Sequence, residues 1–215
     1  MQPMSALPSL TRRQLWTLIT LTLVWGLNWP IMKFGVTGFP PLTFRSLSML
    51  IGLPVLGLAL VLMKIPFRIP RSHWRELFTL AVFNMFVWHV LVILALPMLS
   101  SGRAAILGYT MPIFSAIWGV IWFNAPLRAR QWLGVAAAGI GVLLLLWNEL
   151  SHLSGQPVGV LMVLVAASTW AYGTQRLRHT PMPVPTLTIA FWMTCMTTIL
   201  LTVLACVFEQ DRWQM

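Results

Sequence analysis

The sequence predicts an all-α fold, a polytopic bundle of transmembrane helices, on three observations. Of its 215 residues 58% are hydrophobic and only 8% charged, a balance that a water-soluble domain of this size could not cover with a polar surface. Seven apolar stretches each approach the roughly 20 residues that cross a bilayer. Period-2 alternation is absent and the stretches are too long for barrel strands, so backbone groups must be satisfied inside helices.

The elements follow in order. The first stretch, roughly 14 to 35, comes after Arg12 and Arg13 and resembles a signal peptide at its start. It runs on through Trp25, Trp29 and Lys33 with no small-x-small cleavage site, so it is read as a retained span. Pro40 and Pro41 open the second, roughly 41 to 63. The longest hydrophilic connection, about a dozen residues from Lys64 to Glu76, carries Pro66 and Pro70. The third to sixth spans cover roughly 77 to 97, 103 to 123, 131 to 147 and 157 to 175. Pro181, Pro183 and Pro185 lead into the seventh, roughly 186 to 208. No soluble domain is visible between them. Cys195 and Cys206 lie 11 residues apart on that last span, about 16 Å along a helix and beyond disulfide reach.

The net charge of +10 encodes orientation rather than nucleic-acid binding. With the N-terminus in the cytoplasm, ten of the fourteen basic residues fall in cytoplasmic segments: Arg12, Arg13, Lys64, Arg68, Arg71, Arg75, Arg128, Arg130, Arg176 and Arg178. Arg212 falls outside. Lys33, Arg45 and Arg103 sit at the outer ends of spans, from which long side chains can snorkel to the headgroups. Glu149, Glu209 and Asp211 are expected outside and Glu76 inside, leaving no carboxylate at mid-membrane depth.

A weak internal repeat is present. Val24-Trp25-Gly26 is followed 16 residues after the Trp by Pro41-Leu42-Thr43, and Thr169-Trp170-Ala171 is followed 15 residues after the Trp by Pro185-Thr186-Leu187. The offset, about 145 residues, makes five helices the repeating unit, and an odd number sets the second copy in inverted orientation. A first repeat over 1–147 and a partial second over 148–215 leave three helices unaccounted for. Whether the chain is truncated or continues is open, and the partner expected is a missing C-terminal half or a second subunit.

Three sets of residues carry a family resemblance. They are Val24-Trp25-Gly26-Leu27-Asn28-Trp29 with Pro40-Pro41-Leu42-Thr43-Phe44-Arg45, then Ala104-Ala105-Ile106 to Thr110-Met111-Pro112-Ile113-Phe114, then Gln131-Trp132-Leu133-Gly134 to Gly139-Ile140-Gly141-Val142. In order and spacing they resemble the EamA family of the drug/metabolite transporter superfamily, and within it the YddG-type bacterial exporters of aromatic amino acids. The resemblance implies ten helices, cytoplasmic termini and a central cavity between inverted halves. Members commonly carry a Gly-Glu pair after the fourth helix, where this chain has Asn124-Ala125.

The strongest polar-aromatic constellation is on the first helix, where Trp25, Asn28, Trp29 and Met32 share one face. One reading is a substrate wall, with the Asn meeting an amino or carboxylate group and the indoles an apolar body. The other is helix packing. Pro30 favours the wall by freeing a backbone carbonyl. Asn84 and Trp88 repeat the spacing on the third helix, and His89 is the one histidine near mid-membrane, a candidate proton carrier or a hydrogen-bonded packing residue. Tyr109, Thr110 and Ser115 surround Pro112, which can bend the fourth helix. Trp170, Tyr172 and Gln175 form the counterpart wall on the sixth, while Trp118, Trp122, Trp132 and Trp147 look like interface-belt residues.

No metalloprotease helix, nucleophile elbow, Walker loop or Cys/His ligand cluster occurs in the sequence, so no enzyme activity, cofactor or metal is expected. The expected function is an inner-membrane exporter of small metabolites, amino acids with apolar or aromatic side chains foremost, working by alternating access. The alternatives are a multidrug or other metabolite exporter, and a non-transporting truncated protein or assembly partner.

Overall fold

The computed structural model describes residues 11–151 and 156–213. They form helices α1 (Arg12–Gly38), α2 (Pro41–Leu62), α3 (Trp74–Leu80), α4 (Val87–Ala95), α5 (Ser101–Gly108), α6 (Met111–Phe123), α7 (Ala129–Ser151), α8 (Pro157–Arg178) and α9 (Thr186–Phe208), with no strand among the described residues. A π-helical segment, Ala81–Phe86, joins α3 to α4, and α5 runs into α6 after a break at Tyr109–Thr110, so each pair makes one span. Six helical spans are long and apolar enough to cross a membrane; the described apolar part of α7, Ala129–Leu144, is shorter. This is a multi-pass membrane protein.

The helix boundaries have local causes. Thr11 and Gln14 close a capping box at the start of α1. Proline occupies the first turn of α2, α6 and α8, where its missing N–H costs nothing. The α5–α6 break is held by Thr110, whose hydroxyl donates to the Leu107 carbonyl at 2.6 Å. Asn124 ends α6 in the left-handed region, with φ of 48°.

The bundle centre is α8, packed against α4, α5 and α6, while α9 pairs with α2. Close approach is set by small residues. A Cβ on Gly173 of α8 would lie 2.7 Å from the backbone of Asn84, so only glycine lets α8 meet the π segment there. The threonines of α9 turn inward: Thr194, Thr198 and Thr202 donate to carbonyls one turn earlier, and Ser46 of α2 meets Thr202 at 2.7 Å. The connection after α2 folds onto α9, where Thr188 and Trp192 donate to the Pro66 and Phe67 carbonyls at 2.6 and 2.7 Å. Cys195 and Cys206 are both free thiols.

Two sequence expectations are corrected and a third gains a partner. Trp118 is not a belt residue: its indole donates to the Ser168 carbonyl at 3.0 Å and stacks on Trp122 at 4.5 Å. Lys33 does not snorkel, because its ammonium is captured by the Leu96 and Pro97 carbonyls at 2.7 and 3.2 Å. Glu209, expected on the outer side, is buried at the end of α9 and accepts from the backbone at the start of α2. The side chain of Glu149 lies outside the described residues.

Candidate functional site

A cavity of about 310 Å³ opens between α1, α2, α4 and α8. Trp25, Asn28 and Trp29 enter it from α1, Trp88 and His89 from α4, and Trp170 from α8. These six candidate residues read from the sequence, with Met32 beside them, therefore meet in one space. Periodicity explains the first three, since i, i+3 and i+4 lie on one helix face.

The indoles pack edge to face. Trp29 contacts Trp88 at 6.3 Å and Tyr109 at 6.3 Å between ring centroids, and Trp88 contacts Trp170 at 5.2 Å. Trp29 is held where it is because α5 offers Gly108: a Cβ there would come within 2.7 Å of the ring. The result is a rigid aromatic wall with little polar surface.

The polar part centres on Arg45, which the sequence suggested would snorkel. It turns inward instead, and its Nη2 lies 2.8 Å from His89 Nδ1. A guanidinium has only donors, so the ring nitrogen accepts and His89 is neutral in this arrangement. Arg45 Nη1 and Asn28 Nδ2 both approach Met32 Sδ, at 3.8 and 3.6 Å. Arg45 Nε and Trp29 Nε1 are buried with no hydrogen-bond partner, a state that costs about 1–3 kcal/mol per group. Among the described residues Arg45 forms no ion pair. The signal that could have found it was there: an arginine five positions into an apolar helix is costly unless it serves a polar interior.

The other candidates stand elsewhere. Asn84 is spent on structure, donating to the Trp170 carbonyl at 3.1 Å and to Thr174 Oγ1 at 2.9 Å. Tyr109 lines a second cavity of about 540 Å³ towards Gln131 and Arg178, which shares Trp25 and Trp170 with the first. Thr110 is buried at the α5–α6 break. Tyr172 packs among Phe83, Trp122 and Phe123, away from the tryptophan cavity. Gln175 ties α8 to α6 through Ser115, at 2.7 and 2.9 Å.

A bundle of apolar spans with a partly open aromatic cavity between them defines a multi-pass membrane protein with a candidate ligand site. The comparisons with known proteins make this specific: residues 13–147 match the EamA-like transporter family, and the chain belongs to that family. It is 25% identical to the uncharacterised transporter YoaV of Bacillus subtilis (strain 168), over 89% of this chain and 66% of that one. It is 27% identical to the uncharacterised inner membrane transporter YedA of Escherichia coli (strain K12), over 73% of this chain and 50% of the relative. A probable amino-acid metabolite efflux pump of the same strain is 26% identical over 72% and 50%. A crystal structure with 19% identity shares the fold at a TM-score of 0.63, covering 88% of this chain and 65% of that one. The chain thus spans about half to two thirds of the length of these relatives. The matches establish the family; a YddG-type subgroup and an aromatic cargo go beyond them.

Proposed function

We propose that the complete protein exports small metabolites, amino acids with apolar or aromatic side chains foremost, across a bacterial inner membrane by alternating access of two inverted repeats, the first over 1–147 and the second beginning at 148. The observation that carries this reading is the cavity of about 310 Å³ walled by Trp25, Trp29, Trp88 and Trp170, at the lower end of the volumes that hold small ligands. Its indoles suit an apolar or aromatic body, and Asn28 beside them suits an amino or carboxylate group. The name of the amino-acid metabolite efflux relative points the same way. The basic residues support a cytoplasmic N-terminus. The protein needs no catalysis of its own for this role.

Multidrug export of lipophilic cations fits less well, because Arg45 places a positive charge in the wall. The test is flux of labelled phenylalanine in proteoliposomes. Wild-type protein is expected to carry it down its gradient, and Trp88→Ala to lower the rate at least about tenfold. Equal flux in protein-free vesicles would refute the reading.

A further inference from the structure

We propose that Arg45 is the carboxylate anchor of the cavity, so that the protein selects cargo bearing a carboxylate next to an apolar body; this rests on the export reading and names the chemistry of its substrate. Arg45, half-buried, lines the cavity, with no acid paired to it among the described residues. His89 takes one Nη2 donor but brings no negative charge, since its ring nitrogen can only accept from a guanidinium. The cavity is therefore lined by a cation with no negative charge beside it, and what its guanidinium lacks is an anionic acceptor. A carboxylate supplies it, with two oxygens matched to the guanidinium fork.

The acids of the described chain do not fill that need. Glu209 is committed to the start of α2, Glu76 pairs with Arg176 at 3.9 Å, and Asp211 is exposed after α9. His89 has a defined part as a positioning residue: its 2.8 Å contact fixes the guanidinium plane. The apolar remainder of the ligand then lies against Trp29, Trp88 and Trp170.

Three probes of one shape separate the groups: 3-phenylpropionate has only the carboxylate, phenethylamine only the amine, and phenylalanine both. Calorimetric titration of the purified chain in phosphatidylcholine nanodiscs is expected to show 3-phenylpropionate and phenylalanine binding at least about tenfold more tightly than phenethylamine. Arg45→Gln is expected to abolish that preference and Arg45→Lys to keep part of it. Nanodiscs containing phosphatidylserine provide a further arm: competition with 3-phenylpropionate would keep the anchor and assign its ligand to a lipid carboxylate. Equal binding of amine and acid, no binding of the acid, or an unchanged preference in Arg45→Gln would each overturn the inference. If Arg45→Gln does not fold, the wild-type preference decides alone. Binding of 3-phenylpropionate without phenylalanine flux in proteoliposomes would refute export and leave the anchor standing.

Discussion

Glu209, at the end of α9, caps the beginning of α2 through Thr43: one carboxylate oxygen accepts from the Thr43 backbone N–H at 2.7 Å and from its hydroxyl at 2.8 Å. The other accepts from the Leu42 N–H at 3.0 Å, and Trp213 completes the cluster by donating to Thr43 Oγ1 at 2.8 Å. Proline at position 40 cannot cap the helix with a side chain, so an acid 166 residues away in sequence does so. Its negative charge also suits the positive end of the α2 dipole.

That relationship predicts a stability effect. Glu209→Ala leaves the α2 N–H groups without their acceptor and should cost about 1–3 kcal/mol, read as a lower midpoint in thermal unfolding of the purified protein. Glu209→Gln keeps an acceptor and should fall between. An Ala variant that melts with the wild type would show the cap to be idle.

The two asparagines should separate by what they lose. Asn84 joins the π segment to α8 through Trp170 and Thr174, so Asn84→Leu should lower thermal stability by about 1 kcal/mol. Asn28 meets only Met32 Sδ, at 3.6 Å, and faces the cavity. Asn28→Leu should weaken ligand affinity more than it lowers the melting point. The reverse ranking would make Asn28 a packing residue.

Proton coupling through His89 is not expected. The ring accepts from Arg45, and a glutamine carbonyl can do the same. His89→Gln should therefore keep most flux of substrate down its own gradient in proteoliposomes. Loss of flux in a correctly folded variant would assign His89 an obligatory proton.

Orientation can be read by labelling. In a background lacking Cys195 and Cys206, a cysteine at Ser72, which is exposed in the loop after α2, should react with impermeant reagent only from the cytoplasmic side. One at Gln210, exposed after α9, should react only from outside. Inverted accessibility would reverse the topology.

Much of the architecture was legible because the bilayer imposes it. Span lengths, proline positions and the helical period of Trp25, Asn28 and Trp29 are one-dimensional properties, and they located the helices and one cavity wall before any packing was known. The family could be read from the same run of residues, and the match over 13–147 established it. Periodicity could not tell which polar side chain would be consumed by a neighbour. Asn84 and Asn28 look alike along the chain, yet one finds Thr174 and the Trp170 carbonyl across a glycine contact and the other finds open space.

Charge was the least legible. The sequence sets Lys33, Arg45 and Glu209 near span ends, where water is available to each. Only the tertiary structure decided that Lys33 would meet two carbonyls, Glu209 the start of α2, and Arg45 a histidine in an aromatic cavity. The reason is physical: hydrophobicity acts on each segment alone and fixes what enters the membrane, whereas a buried charge is stabilised only by partners brought from elsewhere in the chain, and those exist only once the helices have packed.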